Sequence, residues 1–449
     1  MKKIIITILI LLGHYITIGQ DSSSIKRWSL QDCISYALEH NISLQMKELD
    51  KEKALKILLS SKLDFIPSLN ISMENNMNWG RSVDLQTLEI VKNNLTLNSG
   101  IGIGASIYLL DGFSKIYDYK INHLGVDVER LAKEALEEEI TLSVMKSYLQ
   151  ILLYGEIIRS LQENLIQLEI SKKIIGELIK NNRLSSSALT EIQAEETSLL
   201  REVAASRNMY NKELIALRHL INIEETKFQI DEQINFSESE IISLDDCRQM
   251  SALAKSHPKI ISLEKMIMIQ QYNIKKAIGM ITPKIGLSAS YATFFSSTAT
   301  DIYGNIPPYL IQLKENINPS IGISLTIPIF NNGKYNRELK IRKIDKRKQE
   351  LQLIQEQKLI EQQLENLLLD TKKYNSEMKN AKVHLSYMEE ILEIATLKLE
   401  TGRTDTNHYT EILRRKIQSQ SEYLRSKYQY LFHVEMVRFY QNFSLNRGN

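Results

Sequence analysis

The sequence predicts a mainly α-helical protein with a smaller β-sheet portion, built from one structural unit that occurs twice. Three observations lead to this prediction: proline and glycine are scarce, the hydrophobic period changes from helical to strand-like, and similar segments recur along the chain. The 449 residues include only 7 prolines and 17 glycines, and no proline lies between 68 and 257 or after 328. Because proline removes a backbone donor and fixes φ, such stretches favour uninterrupted helices over α/β enzyme domains.

The N-terminus predicts an exported protein. Lys2 and Lys3 precede an apolar run from Ile4 to Leu12 and a short polar segment, the pattern of a signal peptide over residues 1–20. We expect cleavage near Gly19 or Gln20; the alternative is an uncleaved N-terminal anchor. Without the two leader lysines, 54 basic residues face 54 acidic ones. This balance gives no support to nucleic-acid binding.

The repeats define two copies of one unit. The pentapeptide SLQDC at 29–33 resembles SLDDC at 243–247, and IPSLNIS at 66–72 resembles TPKIGLS at 282–288. Four residues also recur 220 positions later: Arg183, Thr190, Glu191 and Ile192 as Arg403, Thr410, Glu411 and Ile412. We therefore predict a first repeat over 21–226, a connector over 227–242, a second repeat over 243–443 and a tail over 444–449.

Each copy is predicted to contain a capped opening helix, two strands and two long helices. Ser29 with Asp32, and Ser243 with Asp246, have capping-box spacing. Pro258 is expected to interrupt the opening helix of the second copy. Alternating apolar and polar residues indicate the strands, with polar loops at 79–97 and 298–317 between them. The predicted strands are 66–78, 98–111, 282–296 and 318–331. The predicted long helices are 113–181, 187–222, 334–400 and 406–443, of which the two longest would measure roughly 100 Å.

Four strands with one apolar and one polar face are too few to close a barrel, because the smallest common closed barrels have about eight. An exported chain with such strands is expected to pair them with further copies: two copies give eight strands and three give twelve. Aromatic residues near the strand ends could form an interfacial girdle. They are Trp79, Tyr108, Phe294, Phe295 and Phe330. The alternative is an ordinary water-soluble hairpin core.

At this point the sequence resembles the TolC-type outer-membrane efflux protein family. The resemblance rests on the duplicated layout, the SLxxC openings and the strand starts quoted above. It also rests on IPIFNNG at 327–333, after the last strand, and TGRTDTNHYTEIL at 401–413. It implies a mainly α fold with a membrane β-barrel portion: a homotrimer with a twelve-stranded barrel in the bacterial outer membrane and an α-helical barrel projecting into the periplasm.

The resemblance also implies a function. The trimer would be a passive duct exporting small molecules, served by a periplasmic adaptor protein and an inner-membrane pump. Type I protein secretion uses the same kind of duct and stays open as an alternative. A periplasmic coiled-coil scaffold without a pore is the alternative from a different class.

The candidate site residues follow from the turns between the long helices, which in this family form the periplasmic tips. The resemblance assigns adaptor docking to Arg183, Leu184, Ser185, Thr190, Glu191, Gly402, Arg403, Thr404 and Thr410. The aperture positions, where family members often carry two aspartates, are His408 and Glu411 here. Three such pairs near an axis would form a ring with cation preference, and His408 would make it depend on pH. The alternative is that Glu411 and the arginines only complement helix dipoles.

The remaining motifs point away from catalysis. GIGIGA at 100–105 lacks the spacing of a phosphate-binding loop, and the eight histidines show no H-E-x-x-H pattern. We expect no enzyme activity, no cofactor and no bound metal. Two cysteines are too few for a disulfide scaffold. Cys33 and Cys247 are predicted to be small buried side chains, although a disulfide in an oxidising compartment stays possible.

Overall fold

The computed structural model describes residues 27–83, 90–223, 228–231 and 253–445. The predicted signal peptide, most of the connector, the start of the second repeat with Cys247, and the last four residues lie outside this range. The first half contains β1 (Arg27–Trp28), α1 (Leu30–His40), α2 (Ile42–Leu63), β2 (Ser68–Val83), β3 (Ile90–Asp111), α3 (Ser114–Lys180) and α4 (Ser187–Leu220). The second contains β4 (Gln229–Ile230), α5 (Pro258–Gly279), β5 (Lys284–Ser296), α6 (Tyr309–Glu315), β6 (Asn318–Thr326), α7 (Lys334–Glu400) and α8 (Thr406–Leu445).

The chain divides into two compact units that alternate along the sequence. The first unit takes the residues up to 45, 136–249 and 363 onward, and the second takes 46–135 and 250–362. The long helices α3 and α7, of 67 residues each, contribute to both units. Within the described part of the chain, no helix combines the length and the apolar character that crossing a bilayer requires.

The first unit has an extensive helix–helix core. One cluster surrounds Trp28, Cys33 and Tyr148, and a second runs along α3, α4, α7 and α8. The parallel strands β1 and β4 pack against the first cluster. The Tyr148 hydroxyl connects the cluster to them, since it lies 3.2 Å from the carbonyl oxygen of Trp28 and 2.6 Å from that of Asp231. Cys33 is fully buried in the first cluster, which agrees with the packing role predicted for it.

The opening helices show one expected cap and one unexpected break. Ser29 and Asp32 form the predicted capping box at the start of α1. The opening helix of the first copy was expected to be continuous, but it breaks at Asn41, whose ψ is 125° and whose side-chain oxygen accepts the Ser43 N–H at 2.9 Å. In the second copy His257 has the same role 216 residues later. Its Nδ1 accepts the Lys259 N–H at 3.2 Å, and Pro258 is the first residue of α5. Residues 253–256, before this bend, are also helical, so the opening helix of the second copy is interrupted at Pro258 as predicted.

The second unit contains an antiparallel four-stranded sheet in the order β2-β3-β5-β6. The hairpin of β2 and β3 is longer than predicted. Much of the loop expected over 79–97 is strand, because Trp79 pairs with Leu95 and the pairing continues to Val83 with Ile90. This stretch includes Gly80, Asn93 and Asn94, which have poor strand propensity, and pairing with the opposite strand overrides that local preference. The strand expected over 318–331 ends at Thr326, before Pro328, which has no N–H for a ladder.

The loop expected over 298–317 contains the short helix α6, which packs against β5. The Gln312 side chain replaces a neighbouring strand there: its amide oxygen accepts the Ser296 N–H at 3.0 Å, and its amide nitrogen donates to the Ser296 carbonyl at 3.1 Å. Tyr309 adds a ring contact with Phe295 at 4.9 Å between centroids. Beyond the short strand β6, the edge of β5 is therefore covered by side-chain hydrogen bonds.

Candidate functional site

The sheet of the second unit has two chemically different faces. Directly paired residues in antiparallel strands share a face, so the register joins Ile71, Ile103, Tyr291 and Pro319 on one side. The apolar side chains of this face are exposed to solvent in the single chain, with Ile71 74 % accessible. The exposed large members are Leu69, Ile71, Met73, Met77, Trp79, Leu95, Ile101, Ile103, Tyr291, Ile321, Ile323 and Leu325.

The opposite face carries small and polar side chains. The register joins Asn70, Gly104, Ser290 and Ser320 there, and the last two hydroxyls lie 2.8 Å apart. Close approach requires glycine at position 102, because a Cβ atom built there would lie 2.9 Å from the Cβ of Ala292. The face thus offers hydrogen-bonding groups and little bulk, the chemistry of a surface in contact with water.

The aromatic residues expected to form one girdle divide between the two faces. Trp79 and Phe295 lie on the apolar face, whereas Tyr108 and Phe294 pair with glycines on the polar face. Phe330 follows the last strand and is 82 % exposed. An interfacial role on the apolar side is therefore restricted to part of the predicted set.

The corners between strand and long helix are alike in the two copies. Gly112 and Phe113 have φ of 72° and 62°, and Asn332 and Gly333, 220 residues later, have 54° and 70°. In the first corner the backbones of Gly112 and Gly279 approach so closely that a Cβ at either position would overlap the other residue. The first corner leads directly from β3 into the 67-residue helix α3, and the second, which follows residues 327–331, leads into α7 of the same length.

In the first unit, the two predicted tip turns have the same backbone motif. The Arg183 N–H donates to the Leu178 carbonyl and the Arg403 N–H to the Lys398 carbonyl, both at 2.8 Å. The preceding residues, Asn182 and Gly402, have φ of 56° and 68°. These are Schellman motifs, in which a left-handed residue ends the helix. The turns are adjacent, because a Cβ on Gly402 would lie 3.8 Å from Cδ of Arg183.

Most of the predicted docking residues lie on the surface of these turns. Arg183, Ser185, Thr190, Gly402 and Arg403 are exposed. Leu184, Glu191 and Thr404 are half-buried. Thr410 differs: it is 6 % accessible, and its hydroxyl donates to the Asn407 carbonyl at 3.0 Å. It therefore contributes to the helix packing and not to the exposed tip surface.

The predicted aperture pair lies on the first turns of α8. His408 is exposed, and its N–H donates to the Asp405 carboxylate at 2.7 Å, so that Asp405 caps the helix. Glu411 is 2.8 Å from Arg415 and 3.6 Å from Arg414. These two arginines were not predicted as part of the aperture. Their positive charges offset the negative charge of Glu411.

A second carboxylate completes this group of charges. Glu195 on α4 is 5 % accessible and lies 2.9 Å from Arg414. The hydrogen bond and the charge of Glu195 raise the pKa of the Arg414 guanidinium. The two arginines and the two glutamates are thus balanced. The sequence contained a partial signal for this pair, since a glutamate at a core-facing position of a helix requires a partner.

Polar groups between the helices were also missed by sequence reasoning. Tyr409 is fully buried, and its hydroxyl lies 2.6 Å from that of Ser171. The Lys416 amine donates to Asn164 at 3.0 Å and to Gln420 at 2.9 Å, and burial lowers its pKa. Among the described residues, no three His, Cys, Asp or Glu side chains converge in a way that could hold a metal ion.

Several solved structures share this fold. CusC, which forms a transmembrane channel, has 17% sequence identity and a TM-score of 0.76, with 90% of each chain covered. The outer-membrane channel OprN has 13% identity and a TM-score of 0.77, covering 90% of this chain and 88% of its own. The CmeC outer-membrane channel of Campylobacter jejuni has 17% identity and a TM-score of 0.73, covering 90% and 84%.

The chain shares the fold of these channel structures. No protein-family model matches the sequence, and no curated protein does either. At these identities the likeness extends over the strands and the long helices but does not transfer individual side chains. The channel fold therefore agrees with the fold class predicted from the sequence.

Proposed function

We propose that the chain is the outer-membrane channel of a tripartite efflux system in the bacterial outer membrane. One observation carries the proposal: the four-stranded sheet has an apolar face that is exposed in the single chain, and neither of its edge strands has a second strand partner among the described residues. Exposed apolar surfaces of this extent mark contact with a membrane or another protein. Because the similar structures are channels in a membrane, we favour contact of this face with a membrane.

The open edges support assembly with further copies. Strands β2 and β6 each have one hydrogen-bonded neighbour in the sheet. They run antiparallel to each other, so the β6 edge of one copy fits the β2 edge of the next. A bilayer leaves no water to satisfy an open edge, and a closed barrel removes every edge. We propose a homotrimer with twelve strands, whose apolar face contacts lipid and whose polar face lines the lumen.

The tip turns are proposed as the docking surface for a periplasmic adaptor that connects the channel to an inner-membrane pump. Exposed Arg183 and Arg403 give the two turns matching positive charges. Two adjacent Schellman motifs present them on a rigid backbone. His408 and Glu411 are proposed to face the aperture of the trimer. The duct itself is passive, with small molecules as the exported class.

Planar-bilayer recording of purified full-length protein tests this function. We expect discrete conductance steps from a detergent-solubilised species with the mass of three chains, and none from detergent alone. A water-soluble monomer without conductance would contradict the proposal and favour the coiled-coil scaffold. A gene deletion separates efflux from secretion: loss of efflux increases the accumulation of a fluorescent small molecule, whereas loss of secretion removes a protein from the culture medium.

A further inference from the structure

The corner after β6 combines exposed apolar and basic side chains. Ile329 and Phe330 are 96 % and 82 % accessible, and α7 begins at Lys334, immediately after the turn at Asn332 and Gly333. Residues 334–344 carry five basic side chains and one acidic one, a net charge of +4. Bulky apolar residues beside a basic segment at the end of a membrane element are the pattern of an interface with anionic lipid.

The first copy provides an internal comparison. Its corner has the same backbone, with positive φ at Gly112 and Phe113, and α3 begins at the equivalent position. Residues 114–124, however, carry two basic side chains and one acidic one, a net charge of +1. The turn geometry therefore does not require the excess positive charge, which is specific to the second copy.

The basic side chains of the two copies also differ in their partners. In the first copy, Lys115 donates to the Tyr108 carbonyl and Lys120 lies over the Tyr272 ring. In the second, Lys334, Lys340 and Lys343 are exposed and have no carboxylate within ion-pair distance among the described residues. A cation in the first turn of a helix opposes the helix dipole, so the charge of Lys334 does not stabilise α7.

We infer that this corner, defined by Ile329, Phe330, Lys334, Lys340 and Lys343, binds the phosphate groups of anionic phospholipids in the inner leaflet of the outer membrane. The inference rests on the proposed function, because it requires the sheet to lie in a bilayer. Residues 334–343 of α7 rise about 14 Å along the helix axis, enough to cross a headgroup layer of roughly 5–8 Å. The two apolar side chains enter the acyl boundary, and the flexible lysines extend to the phosphates.

The test measures how phospholipids stabilise the full-length protein in detergent. Phosphatidylglycerol or phosphatidylcholine is titrated at low salt, and the thermal unfolding midpoint is followed. We expect wild type to respond at lower concentrations of phosphatidylglycerol than of phosphatidylcholine. The triple variant Lys334→Gln, Lys340→Gln, Lys343→Gln should lose roughly 100-fold in apparent affinity for phosphatidylglycerol. High salt should reproduce much of this loss in wild type.

A matched control has the same change of charge elsewhere on the helix. Lys358, Lys379 and Lys382 are exposed residues of α7 that lie at least about 36 Å from Lys334 along the helix. Their replacement by Gln should leave the lipid response unchanged. The double variant Ile329→Ser, Phe330→Ser should weaken the response to both lipids, because it removes the apolar contact that they share.

Three results would overturn the inference: equal responses to the two lipids in wild type, equal losses in the triple variant and its control, or full stabilisation by soluble glycerol phosphate. Conductance in a neutral bilayer separates this inference from the proposed function. Wild type that conducts but shows no lipid preference contradicts only the lipid site. Wild type that neither inserts nor conducts contradicts both.

Discussion

Single residues of this protein are constrained most strongly where backbones touch. Gly112 has a φ of 72°, and an added Cβ would overlap the Gly279 carbonyl. Its corner connects β3 to α3, so strain at this residue would act on two long elements. Gly304, in the loop before α6, has a φ of 81° but no atom within 4 Å of a built Cβ. Substitution at Gly304 therefore tests backbone strain alone, whereas substitution at Gly112 tests backbone strain and steric overlap together.

We predict that Gly112→Ala destabilises the protein by at least about 2 kcal/mol, because left-handed strain and overpacking add. Gly304→Ala should cost only about 1 kcal/mol, from strain alone. Urea unfolding in detergent at fixed protein concentration measures both values. Equal effects of the two variants would contradict the close approach of Gly112 and Gly279.

Lys416 is the residue whose burial gives a pH dependence. Burial lowers the pKa of its amine, while Glu163 and Glu389 oppose that effect. The unfolded chain then binds more protons than the folded chain between the lowered pKa and 10.5, so stability from this group rises with pH through that window. The stability contribution of Lys416 is complete above pH 10.5 and is lost as the pH falls through the pKa of the amine in the folded chain.

We predict that Lys416→Met removes this rise in stability at alkaline pH. The unfolding free energy of wild type and variant, measured between pH 8 and 10.5, should have different slopes. Lys358→Met provides the control, because Lys358 is an exposed lysine on α7. A slope in the Lys416 variant that equals that of wild type would show that the amine is well hydrated.

At the scale of elements, the sheet shows which features of a strand are local and which are not. The alternation of apolar and polar residues identified all four strands. It failed over 79–97 and 298–317, for different reasons. In the first stretch, pairing with the opposite strand imposes strand structure on residues of low strand propensity such as Gly80, Asn93 and Asn94. In the second stretch, the Gln312 side chain makes the hydrogen bonds with the Ser296 backbone that a neighbouring strand would make. The alternation of apolar and polar residues does not predict such a contact.

The two faces of β2 provide a direct test of orientation. Ile71 lies on the apolar face and Ser72 on the polar face, one residue apart and both exposed in the single chain. If the apolar face contacts lipid, Ile71→Lys should cost about 2–4 kcal/mol near the bilayer centre, whereas Ser72→Lys should be nearly neutral. Urea unfolding in liposomes measures the difference. The reverse order would place lipid on the polar face.

At the scale of the whole molecule, assembly decides what the tip charges do. Glu411 and Glu195 together balance Arg414 and Arg415 within one chain. The cation preference expected from three pairs of His408 and Glu411 would therefore be weakened by the arginines of each chain. In a trimer these four charged residues would occur three times around the axis. A change of one charge per chain would therefore change the charge of the ring by three.

We predict that replacing His408 and Glu411 together by Ala shifts channel selectivity toward anions, because Arg415 loses its partner. Reversal potentials in a salt gradient across a planar bilayer measure the shift. Glu422, an acidic residue three turns further along α8, provides the control as Glu422→Ala. Selectivity that stays at the wild-type value would remove His408 and Glu411 from the pore lining.

The sequence by itself determined the order of the four sheet strands and the long helices and the position of both tip turns, because these depend on local periodicity and on glycine and proline placement. Tertiary structure decided what depends on neighbours distant in sequence: the extended hairpin, the side-chain hydrogen bonds of α6, the burial of Thr410 and the pairing of Glu195 with Arg414. A single chain's sequence states which face of a helix or strand is apolar. Which residues from other elements meet that face is set only when the chain packs.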